Sequence, residues 1–269
     1  MANRLLLTLA TAALLGGSLP GSAALAAEDA SSVEIKGMKN PELRKYRSVS
    51  AGLDAFERRH ALAPAAPQLR FRLLEARRWE APPPERLALR IVGNGDPLVL
   101  AVDDGGLVTI PRDQAAWDDN ADLVSNRKRG QLISMPEVRS PGLADNVRRL
   151  GDLRLECEVL TAIIKQDVGF FMRSTISALL ATTDWCTKDK LNMKYQSSAR
   201  LSGATLVHQQ RRLDLDHGEW TYMLPIGDPG WPDDALVELR YGAPAPAVAP
   251  AVAPALAPSV APALAPAVP

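Results

Sequence analysis

The sequence predicts a mainly β fold: two related β-sandwich-like modules forming an internal repeat, joined by a strand–helix bridge and preceded by a helical segment. Three observations predict it. Much of the stretch 86–126 is written a second time at 200–241. Gly-containing turn signals recur at short intervals. Between them, apolar and polar residues alternate as they do in half-buried strands.

The repeat carries the most weight, because self-similarity sets architecture before any local signal. In the first copy, Ile91-Val92 and Leu98-Val99-Leu100 lead to the turn Asp103-Asp104-Gly105-Gly106, then to Ile110-Pro111 and Trp117-Asp118-Asp119-Asn120-Ala121-Asp122-Leu123. In the second, Leu206-Val207 and Leu213-Asp214-Leu215 lead to Asp216-His217-Gly218-Glu219, Leu224-Pro225 and Trp231-Pro232-Asp233-Asp234-Ala235-Leu236-Val237. The paired Trp117 and Trp231 are expected as core plugs, with Asp119 and Asp233 holding each turn as local backbone acceptors.

The chain has 269 residues with 31 basic against 31 acidic. That balance gives no electrostatic case for nucleic acid or an anionic membrane as partner. Residues 1–26 read as an export signal: Arg4, an apolar run from Leu5 to Gly17, and the small-x-small site Ala24-Leu25-Ala26. The run falls short of the ~20 residues that span a bilayer, so no transmembrane segment is expected in the mature chain. The expected address is periplasmic or secreted. An oxidising compartment lets Cys157 and Cys186, the two cysteines of the chain, form a disulfide.

Residues 27–67 form the N-terminal helical segment. Asn40-Pro41-Glu42 reads as an N-cap with Pro at the first helical position, and Leu43, Tyr46, Leu53 and Phe56 recur at near-helical spacing. Gly52 is a weak point within it, and His60 suits the helix end.

The first β module spans 68–135. Leu69-Arg70-Phe71-Arg72-Leu73 alternates, and Ala81-Pro82-Pro83-Pro84 interrupts regular pairing. Strands at 86–92, 97–102 and 106–110 follow, with 97–110 expected as a hairpin, and a strand from Ala121 turns at Asn126-Arg127-Lys128-Arg129-Gly130 into a partner at 131–135.

The bridge covers 136–189. Leu153-Arg154-Leu155-Glu156-Cys157-Glu158-Val159 alternates strictly and is expected as a strand with Cys157 on its apolar face. A helix follows at 167–181, capped by Asp167, with Val168, Met172, Ile176, Leu179 and Leu180 in one stripe. Its polar face carries one charge, Arg173, which favours core burial over contact of Phe170 and Phe171 with lipid or a partner. A Cys157–Cys186 bond would then pin helix to sheet.

The second β module spans 190–242, opening with Leu191, Met193 and Tyr195 on one face of a strand and continuing through a hairpin at 213–224. Residues 243–269 are an Ala/Pro tail with Pro250, Pro254, Pro258, Pro262 and Pro266 in a period of four, a pattern that favours polyproline II.

Chemistry-bearing clusters are few. His208, Asp214, Asp216, His217 and Glu219 crowd one stretch, but the turn alignment explains them without a metal. Asp118-x-Asn120-x-Asp122 opens like a calcium loop, yet Leu123 and Arg129 stand where Gly and Glu are needed. No nucleophile elbow, phosphate loop or Cys-x-x-Cys is present. No catalytic residue, metal ligand or cofactor is expected.

Around Trp117-Asp118-Asp119-Asn120-Ala121, Arg148–Cys157 and Trp231-Pro232-Asp233-Asp234-Ala235 the chain resembles uncharacterised exported proteobacterial proteins. Its strand spacing over 68–242 resembles prealbumin-like or carboxypeptidase-regulatory-like β-sandwich modules. The resemblance implies an accessory module without catalytic residues. The expected function is therefore a non-enzymatic envelope protein, structural or binding, whose partner is another envelope protein or a cell-wall component. The rival is a secreted hydrolase with a carboxylate or serine site, which a deep cleft holding convergent acids would favour.

Overall fold

The computed structural model describes residues 41–76, 87–168, 170–180, 183–187 and 192–242. The expected export signal, the lead-in to residue 40, the Pro-rich interruption at 81–84 and the Ala/Pro tail lie outside these residues.

The chain is mainly β. Its first half runs β1 (Pro41–Lys45), α1 (Tyr46–Arg58), a short 3-10 turn (His60–Leu62), β2 (Leu69–Glu75), β3 (Leu89–Val92), β4 (Leu98–Leu100), β5 (Leu107–Val108), α2 (Gln114–Asp118), β6 (Asp122–Lys128) and β7 (Leu132–Val138). The second half runs β8 (Val147–Arg149), α3 (Leu150–Asp167), α4 (Phe170–Leu180), β9 (Asn192–Gln196), β10 (Leu201–His208), β11 (Arg211–Asp214), β12 (Thr221–Pro225) and β13 (Leu236–Tyr241).

The strands pair antiparallel into sheets ordered β1-β6-β3-β4, β5-β2-β7, β8-β13-β10-β11 and β12-β9. The first and third sheets thus hold strands in the same order along the chain. In the other two, β5 beside β2 corresponds to β12 beside β9. One position differs: β2 carries β7 on its second edge, and β9 carries no strand there among the described residues.

The strands at 97–110 and 213–224 are not hairpin ladders. Asp103 accepts hydrogen bonds from the Gly105 and Leu107 amides (3.0 and 2.8 Å), and Gly106 takes φ 73°, so the turn closes as expected. Then the strands part. β4 joins β3 and β5 joins β2, with a single bridge between Val102 and Val108; His217 and Tyr222 bridge the second corner in the same way. The turn after β6 behaves alike: β7 pairs with β2 along its whole length.

Two elements depart from expectation more sharply. Pro41–Lys45 is an edge strand against β6, and the helix starts five residues later, at Tyr46. Pro is tolerated at the start of an edge strand, and pairing there outweighs the local helix-start signal. The other is the expected strand at 153–159, which lies inside α3. Leu150, Leu153 and Cys157 pack into one core with Leu206, Tyr222, Leu224 and Trp231. Leu155, Val159 and Ile163 pack into another with Tyr46, Val49, Phe71 and Val108. Two helical stripes on different faces of one helix interleave, and in sequence their sum looks like a period of two.

Gly52 is a point of close packing. A Cβ there would sit 2.8 Å from Ile163, so its absence lets α1 and α3 approach. Gly151 is tighter still, since a Cβ would lie 2.1 Å from the Leu62 carbonyl. Helix α4 is present; of its expected core stripe Met172 is 56 % exposed and Ile176 half-buried, while the side chains of Leu179 and Leu180 lie outside what is described. Asp167 ends α3 and forms an ion pair with Arg44.

Candidate functional site

Where the two halves meet, a cavity of about 370 Å³ opens between β7, β9 and α3. Its size falls within the range of small-ligand pockets. Two strand edges border it. On β9, the Ser197 amide donates to the Trp220 carbonyl (2.9 Å), so by alternation Met193 and Tyr195 also turn their backbones to β12. Asn192, Lys194 and Gln196 therefore turn their amides and carbonyls to the other edge, which pairs with no strand among the described residues. On β7, the Val138 amide donates to Glu156 (2.8 Å) and its carbonyl accepts from Arg148 (3.0 Å), so the even-numbered residues face away from β2. Pro136 is one of them and has no N–H to offer, as edge strands favour.

The walls are held by the core. Tyr195 donates its hydroxyl to the Leu153 carbonyl (2.7 Å) and stacks on Tyr222 (5.9 Å). Burial raises both phenols well above the usual tyrosine range. Cys157 and Cys186 are bonded, so α3 is tied to the segment after α4, and Cys157 forms part of the wall. The expected disulfide is thus present, joining helix to loop where helix to sheet was expected.

Two carboxylates converge on the cavity. Burial pushes Glu156 up to about 7, against the pull of Arg148 at 2.6 Å. Glu137 is half-buried, which favours its neutral form, but Arg72 grips both its oxygens (2.5 and 2.8 Å) and holds it below the ordinary value, with Arg148 and Arg139 assisting. Unlike protonation in one cavity suits acid–base chemistry. Both groups nevertheless have structural partners: Glu137 ties β7 to β2, and Glu156 ties β7 to α3. Asp152, one helical turn earlier, grips Ser140 through both the amide and the hydroxyl (2.7 Å each). The i, i+4 spacing of Asp152 and Glu156 is the available signal, and the strict alternation over 153–159 hides it.

Other residues singled out in the sequence are dispersed. Trp231 is 1 % exposed and plugs the second core. Trp117 is 45 % exposed and not a core residue. Asp113 caps the Ala116 amide (2.9 Å) and starts the single turn of α2, which points Ala116 inward and Trp117 out under the Arg47 guanidinium. Nor are Asp119 and Asp233 local acceptors. Asp119 binds the amide and side chain of Asn94 (2.9 Å each), and Asp233 binds Arg154 (2.5 Å).

In the two stretches considered for metals, side chains have separate partners: Asp214 accepts from Thr205 (2.8 Å), Asp122 pairs with Lys45 (2.9 Å), and Asp118 accepts from Gln114 (2.8 Å). Among the described residues, no three His, Cys, Asp or Glu side chains gather to hold a metal ion.

No protein-family model, curated protein or solved structure matches this chain.

Proposed function

We propose that this chain is an exported, non-enzymatic envelope protein that binds an extended segment of another envelope component along β9. The observation that carries the reading is the edge of β9 opposite β12, which pairs with no strand among the described residues and faces a cavity. Strand addition to an exposed edge supplies affinity through the backbone and specificity through the pockets beside it. On this reading the two halves are copies of one β-sandwich-like module, of the prealbumin-like or carboxypeptidase-regulatory-like kind, and the second copy has kept its edge open. Export is supported by the N-terminal segment and by the disulfide. Among the described residues, no helix is long and apolar enough to cross a membrane.

A panel of extended seven-residue peptides, titrated while the fluorescence of the cavity-lining Trp220 is followed, tests the proposal. Saturable binding is expected for a subset, with loss on backbone N-methylation of the peptide and at least tenfold weakening in Lys194→Pro. That substitution removes one open-edge donor and leaves the β12 ladder intact. Binding indifferent to both changes would sink strand addition.

The hydrolase is the second reading, favoured by the convergence of Glu137 and Glu156. Turnover of any ester, amide or glycoside in a broad screen, abolished by Glu156→Gln, would establish it over the first.

A further inference from the structure

The side chains that line the cavity between β7, β9 and α3 define a ligand of their own. The walls are chiefly apolar: Leu74 comes from β2, Met135 from β7, Leu160 from α3, Met193 from β9, and Trp220 immediately precedes β12. The two methionines are unbranched and adapt to the shape of a guest.

Four cations and three carboxylates share this lining. Two of the carboxylates are matched, Glu137 by Arg72 and Glu156 by Arg148, and the third, Asp145, is exposed. Among the cations, Arg72 is fully used, since its Nη1 donates to the Gly105 carbonyl (3.0 Å). Arg148 is not. Its Nη2 serves both Glu156 (2.6 Å) and the Val138 carbonyl (3.0 Å), while Nη1 meets no acceptor among the described residues. Arg139 donates through Nη2 alone, to the carbonyls of Ala144 and Val147 (2.9 and 3.4 Å), which carry no net charge to offset its own. The Arg148 side chain is only 12 % exposed. A guanidinium with a donor to spare in a mostly apolar cavity attracts an anion more strongly than one in water.

We infer that this cavity takes a small amphiphilic carboxylate, its apolar body against Met135, Leu160, Met193 and Trp220 and its head group on Nη1 of Arg148 and the unused donors of Arg139.

The planar fork of a guanidinium suits a carboxylate head, and the walls reward an apolar body by removing it from water. A cation would find two of the three carboxylates already matched. The site goes beyond strand addition and does not require it, because it uses side chains and not the backbone of β9.

Calorimetric titration of the full-length protein with decanoate, octanoate, acetate, decanol and decylamine, each below its micelle concentration, tests this. Decanoate should bind saturably and at least tenfold tighter than decanol or decylamine. Octanoate should be weaker by about fourfold for each methylene removed, and acetate weaker still. Decanol or decylamine as tight as decanoate would overturn the inference, and so would acetate as tight as decanoate. Two variants locate the site. Arg148→Gln should weaken decanoate at least tenfold and leave decanol unchanged. Leu160→Trp fills the cavity, spares every charge and leaves the Arg148–Glu156 pair intact; it should weaken both ligands at least tenfold. Decanoate binding unchanged in Leu160→Trp would place the ligand elsewhere and overturn the assignment. Decanoate binding without binding of any peptide would remove strand addition and leave this site standing. Peptide binding without decanoate binding would do the reverse.

Discussion

Replacing Trp231 by alanine removes the largest fully buried side chain of the second core and should lower stability by about 3–5 kcal/mol. Trp117→Ala should cost less than about 1 kcal/mol, because that ring is 45 % exposed and keeps chiefly its contact with Arg47. Urea denaturation of the two variants reads the contrast directly, and equal losses would contradict the assignment of Trp117 to the surface. Glu156 makes a second prediction at this scale. Its carboxyl ionises near the ordinary value of 4.5 in the unfolded chain and at about 7 in the folded one. Its contribution to stability is therefore complete below 4.5 and is lost as pH rises through 7, on the order of 3 kcal/mol in all. Glu137 acts in the opposite sense, losing its contribution as pH falls below the ordinary value, outside this window. Glu158 is raised by burial and leaves a smaller slope of the same sign as Glu156. Urea midpoints between pH 5 and 8 should fall with pH in the native protein and fall much less in Glu156→Gln. An unchanged slope in the variant would assign the effect elsewhere.

At the scale of elements, the disulfide closes a loop with a sequence separation of 29, anchoring α3 to the segment that follows α4. Removing it should lower stability by roughly 3.5 kcal/mol on the chain-entropy model. Reduction and Cys157→Ser should lower the thermal midpoint equally and not additively. Thiol titration of the unfolded, unreduced protein should find no free thiol, and two per chain would refute the bond. The pairing was legible because the chain offers one possible pair. The element carrying Cys157 was not, since alternation over seven residues cannot separate a strand from a helix buried on two faces. Length separates them: α3 runs on for 18 residues, beyond the usual strand, and its second stripe continues to Ile163.

Across the whole molecule, α3 supplies side chains to both cores, so the halves should not unfold independently. Leu153→Ala opens a cavity in one core and Leu155→Ala in the other, each expected to cost about 2–5 kcal/mol. Calorimetry should show a single transition that both variants shift down, with matching calorimetric and van't Hoff enthalpies. A transition that splits in either variant would mean that each half stands alone.

Strand positions such as β3, β4, β5 and β9 could be read from the chain within a few residues, because alternation and Gly or Asp turn chemistry act over neighbours. So could the disulfide partner. Which strand lies beside which could not. An edge presents the same N–H and C=O groups whatever sequence carries it, so β7 finds β2 and not β6 only when the packing of both cores has set the directions of the chain. The cavity has the same origin: its two converging acids and the arginines that pair with them come from β2, β7, β8 and α3, and no local signal ties Arg72 to Glu137 or Arg148 to Glu156 until non-local pairing brings those elements together.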